Sequence, residues 1–201
     1  MTSAGTVVGA LTVDEHQAQL RRAVIASTVG TTIEWYDFFI YSTVTGLVFP
    51  QLYFPGSDPL VGTLQAFAIY AVGFVARPIG AAIFGHYGDR MGRKAALIAT
   101  LLLMGIATFL VAFVPTYAQI GIWGAIILTI LRFIQGVGVG GEWGGSVLLS
   151  MEWARTTAHR GFVASWPQFG VPSGLFLANL AALAVNTISP DQFLAWGWRV
   201  P

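Results

Sequence analysis

Five apolar runs set what this chain can fold into: they lie near residues 24 to 48, 61 to 86, 95 to 114, 120 to 150 and 162 to 188. Each holds the roughly 20 mostly apolar residues that a helix needs to cross a bilayer. The breaks between them, "FPQLYFPGSDP", "GDRMGRK", "VPTYAQ", "EWARTTAHR" and "SPDQ", are short and polar or marked by Pro and Gly. After the last break the chain restarts at "FLAWGWRVP", where a sixth span begins near residue 194. Composition agrees, with 55% hydrophobic and 9% charged residues against roughly 25% charged in soluble domains. The expectation is an all-α polytopic membrane protein, with a polar tail over 1–23 and a transmembrane bundle over 24–201. The tail lacks the charged-then-apolar order of a cleaved signal peptide.

Several function classes recede at once. A net charge of +1 gives no reason to expect nucleic acid. With no cysteine there is no disulfide framework or thiolate metal site. The histidines, His16, His86 and His159, fall outside the membrane centre and far apart, so neither a metal, a cofactor nor an enzyme is expected.

Orientation follows from the basic residues. Arg21 and Arg22 precede span one, Arg90, Arg93 and Lys94 lie between spans two and three, and Arg155 and Arg160 between spans four and five. The other loops carry none until Arg199. Cytoplasmic loops accumulate Lys and Arg, which puts the amino terminus and these two loops on the cytoplasmic side of a cell membrane. Trp153, Trp196 and Trp198 near span ends fit interfacial positions.

The glycine-rich stretch "QGVGVGGEWGGS", Gln135 to Ser146, satisfies the spacing of a dinucleotide loop. Such a loop needs a preceding strand and an acid about 20 residues further on. Here the glycines sit inside an apolar run, and no Asp or Glu occurs from Trp153 to Pro190. At helical spacing Gly136, Gly140 and Gly144 form a row, and Gly170 and Gly174 begin another with Ala178 and Ala182. In lipid such rows let backbones approach closely, so both helices are expected to pack tightly, each other being one possible partner. A weak repeat accompanies them. Val29 to Trp35 and Val137 to Trp143 share V-G-x-x-x-E-W, while Pro78 to Gly80 and Pro172 to Gly174 share P-x-G. Inverted three-helix repeats characterise secondary transporters.

Five charges fall inside spans: Glu34, Asp37, Arg77, Arg132 and Glu142. A charge at mid-membrane costs roughly 2.5 to 3.5 kcal/mol on insertion scales, and such residues face a cavity or a partner. Glu34 and Asp37 lie about 60 degrees apart around one helix, close enough to repel. Three acids against two arginines leave one surplus negative charge, which a single proton would cancel. A proton-coupled site is one reading; permanent salt bridges holding the bundle together are the other. Pro78, Pro167 and Pro172 inside spans each remove a backbone donor.

The loop "GHYGDRMGRK", Gly85 to Lys94, places positive charge at the start of span three, where the helix dipole disfavours it. Asp89 taken alone could cap a helix. G-x-x-x-D-R-x-G-R-K resembles the signature of the major facilitator superfamily. With "EWYDFFIY", "VARPIG", "RFIQGVGVGGEWGG" and "QFGVPSG", the chain from about Arg21 onward is similar to the metabolite:proton symporters of that superfamily. The resemblance implies two six-helix bundles around a central cavity open alternately to each side, with this chain matching the amino-terminal bundle.

It further implies a cytoplasmic gate built from Gly85, Asp89, Arg90, Gly92, Arg93 and Lys94. Asp89 would engage the second bundle, and Arg93 would pair with Glu152. Glu34, Asp37, Arg77, Arg132, Gln135, Glu142 and Gln168 become candidates for the cavity or for proton coupling. The implied function is proton-coupled symport of a small metabolite, an organic acid or zwitterion. The implied partners are metabolite, proton, lipid bilayer and the carboxy-terminal bundle of the same protein. A membrane sensor or assembly protein with the same bundle is the competing class, and transport by these 201 residues alone is not expected.

Overall fold

Every regular element among the described residues is a helix. The computed structural model describes residues 13–153, 160–185, 187 and 190–200, with backbone alone at 13, 14, 16, 93, 143–153, 160, 164, 190 and 191. In chain order the helices are α1 (Val13–Leu47), α2 (Phe49–Tyr53), α3 (Pro59–Met91), α4 (Arg93–Val111), α5 (Tyr117–Ile120), α6 (Trp123–Trp153), α7 (Arg160–Ser165), α8 (Gly170–Val185) and α9 (Pro190–Ala195). A 3₁₀ turn, Trp166–Phe169, joins α7 to α8, and another, Gly197–Arg199, follows α9.

Among the described residues four stretches are long and apolar enough to cross a membrane: Pro59–Met91, Lys94–Val111, Trp123–Glu142 and Gly161–Val185. At 35 residues α1 is longer than any of them, about 50 Å at the helical rise. Its middle, however, carries Ser27, Thr28, Thr31, Thr32, Glu34 and Asp37. That polarity is explained by what packs on it, as described below. Much of the outer surface is apolar, with Leu60, Val75, Phe109 and Phe176 largely exposed, the surface a lipid solvent favours.

Local sequence explains the helix ends. Asp58 accepts a hydrogen bond from the Leu60 amide at 3.0 Å, with Pro59 in the first helical position, a side-chain cap and a preset φ opening α3. The turn from α3 to α4 is the single residue Gly92, whose φ of 96° lies in the region only glycine enters freely. Asp89 lies within the last turn of α3, so it is not the cap it could have been. Arg90 ends that helix, where the dipole favours it. Of the three prolines assigned to spans, Pro78 lies inside α3, Pro167 in the 3₁₀ turn and Pro172 in the first turn of α8, so the fifth span passes through a short 3₁₀ segment before α8.

Glycine rows set two of the three most extensive crossings, α3 on α6 and α1 on α8. A methyl group at Gly136 would overlap the Gly73 carbonyl, one at Gly140 that of Arg77, and one at Gly80 that of Val137. Methyl groups at Gly170 and Gly174 would meet Thr31, Thr32 and the Tyr36 amide within 3.0 Å. The two rows therefore pack against α3 and α1 rather than against each other. What Gly144 packs against lies outside the described residues. The glycines of the two P-x-G motifs do equivalent work, Gly80 against α6 and Gly174 against α1.

An aromatic core closes one end, where α1 passes into α2: Tyr41, Phe49, Tyr53, Tyr70, Leu128 and Trp198 are buried together. Trp198, expected at an interface, is instead 4% exposed, its ring 5.7 Å from that of Phe49. Trp196 is exposed, and the side chain of Trp153 lies outside the described residues.

The close crossing predicts a contrast between two helical glycines. Gly140→Ala is expected to destabilise the protein by about 1–3 kcal/mol through overpacking. Gly105→Ala, with nothing within 4 Å of the added methyl, should be neutral or gain up to about 1 kcal/mol. Thermal unfolding in detergent checks this, and equal effects at the two positions contradict the crossing.

Candidate functional site

Helices α1, α3, α4 and α6 line up the intramembrane charges along the bundle interior, spread over about 15 Å from Arg132 to Glu142 at the helical rise. Helix α1 supplies Glu34 and Asp37, α3 supplies Arg77, and α6 supplies Arg132, Gln135 and Glu142. Spacings of three and seven residues put the α6 groups on one face. Two glycines make room for them. A methyl at Gly73 would lie 2.9 Å from Arg132 Nε, and one at Gly30 would lie 2.8 Å from Glu142 Oε1.

The first half of the site is a closed circuit. Arg132 donates to Gln135 Oε1 at 3.1 Å, and Gln135 Nε2 donates to Thr108 Oγ1 at 2.7 Å. Thr108 donates in turn to Asp37 Oδ1 at 3.1 Å, and Asp37 Oδ2 is 3.6 Å from Arg132. Every donor points around the ring toward Asp37, which only accepts. Arg132 also lies over the rings of Tyr41 and Tyr70, 4.1 and 4.7 Å from their centres, cation–π contacts that matter most where water is absent. Arg132, Gln135, Thr108 and Asp37 are thereby fixed in one arrangement.

The second half is looser. Arg77 is 3.9 Å from Glu34 Oε1, with the arginine side chain 30% exposed and the glutamate 5%. Its guanidinium carbon stands 4.8 Å from the Phe74 ring and 5.8 Å from that of Phe38. Glu34 Oε2 has no hydrogen-bond partner.

Glu142 is the residue left over. It is 1% exposed, and neither carboxyl oxygen has a hydrogen-bond partner among the described residues. It faces Gly30, one turn before Glu34 on α1, and the charge acting on it is another acid, Glu34. Two pairs and one orphan carboxyl thus account for the three acids and two arginines.

The remaining candidates lie elsewhere. Gln168 is exposed on the 3₁₀ turn and makes no hydrogen bond to the charged group among the described residues. In the α3–α4 turn Gly85, Asp89, Arg90 and Lys94 are exposed. The side chains of Arg93 and Glu152 lie outside the described residues, and so does their pairing.

Thr108 escaped the reading of the sequence. Its only signal is that it and Thr100 are the hydroxyl side chains in the apolar run of α4. A threonine in such a helix ordinarily bonds its own backbone, as Thr32, Thr43, Thr63 and Thr129 do to the carbonyl four residues back. Only the fold reveals that Thr108 reaches across to Asp37. The tyrosines under Arg132 were likewise indistinguishable from core aromatics.

Space around the group is uneven. A cleft of about 10 Å³ lies among Glu34, Phe38, Phe74, Arg77 and Arg132, room for scarcely one water. A cavity of about 370 Å³ lies between α1 and α4, apolar apart from Tyr36, Tyr41, Asp37, Thr108 and Arg199. Glu34 and Arg77 do not line it.

Known proteins place the chain and its fold. The chain is 50% identical over 181 residues to the inner membrane metabolite transport protein YhjE of Escherichia coli (strain K12), a match covering 90% of this chain and 41% of that protein. It is 46% identical over 185 residues to the shikimate transporter of the same organism, covering 92% and 42%. The proline/betaine transporter of Salmonella typhimurium is 39% identical over 184 residues, covering 91% and 36%. The chain thus spans about two fifths of the length of these relatives. Its fold matches the inward-open xylose transporter XylE of E. coli with a TM-score of 0.75 at 19% identity, over 90% of this chain and 43% of that one. The match is to the amino-terminal half of the major facilitator fold. The profile described as "Sugar (and other) transporter" matches residues 22–201, and the relatives are transporters rather than enzymes. The chain belongs to the sugar (and other) transporter family of the major facilitator superfamily.

Proposed function

We propose that this chain forms the amino-terminal part of a carrier that moves a small organic acid or zwitterion together with a proton across the cell membrane by alternating access. The observation carrying this reading is Glu142, a fully buried carboxyl with no cation and no donor against it among the described residues. An unpaired buried charge costs several kcal/mol, so the group is tolerated there as a proton carrier and not as a structural ion. Asp37, which closes a circuit of donors, is the opposite case and holds α1 to α4 and α6. A carboxyl that takes a proton on one side and releases it on the other gives the two states different affinities.

Relatives support the coarser parts. YhjE is named for the inner membrane, another relative for shikimate and another for proline and betaine, while a fold neighbour is described as a proton:xylose symporter. The distribution of Lys and Arg supports a cytoplasmic amino terminus and cytoplasmic loops after α3 and α6. Asp89, Arg90, Arg93, Lys94 and Glu152 would then form the cytoplasmic gate, closing against the second bundle of the complete carrier.

Uptake into proteoliposomes holding the complete carrier tests the reading. Substrate should accumulate uphill, with acidification of the lumen, only while a proton gradient is present; equal accumulation after its collapse contradicts symport. Glu142→Gln should abolish uphill accumulation yet keep exchange of substrate at equal pH, because glutamine copies the neutral acid. Thr108→Val should leave Asp37 and Gln135 each short of one bond and cost about 1–3 kcal/mol, with Thr108→Ser recovering most of it in thermal unfolding. A harmless Thr108→Val contradicts the circuit.

A further inference from the structure

The two membrane arginines are employed to different degrees. Arg132 is 7% exposed at its side chain and is held by Asp37, Gln135 and two tyrosine rings. Arg77 is four times as exposed, at 30%, and no hydrogen bond involves it among the described residues. A guanidinium carries five N–H donors, and a two-bond contact with a carboxylate closes to about 2.8 Å. The 3.9 Å approach to Glu34 is therefore an ion pair without such bonds. Phe74 and Phe38 have their ring centres 4.8 and 5.8 Å from the guanidinium carbon. A partly exposed charge in a membrane helix faces water or a partner rather than lipid.

We propose that Arg77 receives the carboxylate of the transported metabolite, trading its loose contact with Glu34 for a two-bond contact with the ligand. The 370 Å³ cavity beside α4 is the weaker place for that carboxylate, since its Asp37 and Thr108 are already bonded to each other and its one arginine, Arg199, already donates to the Ala195 and Val114 carbonyls and lies over Trp198. The trade strips Glu34 of its cation next to Glu142, so a proton entering the pair offsets the negative charge brought by the ligand. This inference rests on the transport reading only in that a metabolite enters the charged layer.

Equilibrium binding to the complete carrier in detergent, with no pH gradient, tests it. The probes are shikimate, L-proline and succinate, each against its methyl ester. At least one acid should bind, its ester about thirtyfold or more weakly, and Arg77→Ala should lose a similar factor. Glu34→Gln should tighten binding of the acid, because the resident competitor for Arg77 has gone. The ester comparison and Glu34→Gln keep the test decisive even where Arg77→Ala fails to fold. Esters binding as well as acids, weaker binding in Glu34→Gln, or no binding of any of the three acids overturns the inference. Because no gradient is applied, the preference for acid over ester tests Arg77 alone, whereas uphill accumulation under a gradient tests symport alone.

Discussion

Charge cannot be buried in hydrocarbon without a match, and that constraint organises this bundle. Three acids and two arginines line the bundle interior among α1, α3 and α6. Two acids find cations at 3.6 and 3.9 Å, and the third, Glu142, finds none among the described residues. Each pair ties α1 to a different helix, Asp37 to α6 and Glu34 to α3. An apolar layer of the same shape would hold the helices as well or better. The polar layer is therefore explained by chemistry it performs rather than by stability it adds.

Close packing is what lets that layer exist. Where α3 crosses α6, backbone meets backbone at Gly73, Gly80, Gly136 and Gly140, and a side chain longer than hydrogen would push the arginines out of reach of their acids. Gly30 and Gly73 do the same job in miniature, leaving the space that Glu142 and Arg132 fill. The glycines and the charges are thus one device: small residues set helix separation, and separation sets which ions can pair. Above the layer, the aromatic core around Tyr41, Phe49 and Tyr53 seals one end with apolar contacts.

How much of this was legible in the sequence depends on the range of the interaction. Span lengths, the glycine rows and the charge surplus follow from spacing and counting, and the family follows from motifs such as that ending at Lys94. The exceptions are tertiary. Which carboxyl would be the surplus one could not be told from a count of three, because Glu34, Asp37 and Glu142 differ only in what other helices bring to them. Thr108 looked like any threonine bonding its own helix. Trp198 looked interfacial and is core because Phe49 lies against it. Asp89 could have capped a helix and instead lies inside α3, because that helix runs on to Met91.

The central claim is that the proton resides on Glu142 and not on Asp37. Infrared difference spectroscopy on the complete carrier, recorded as protons are added and withdrawn, reads the carbonyl band of a protonated carboxyl directly. The account predicts a band that disappears in Glu142→Gln and survives in Thr108→Ser, whose circuit around Asp37 is intact. A band unchanged in Glu142→Gln would contradict it.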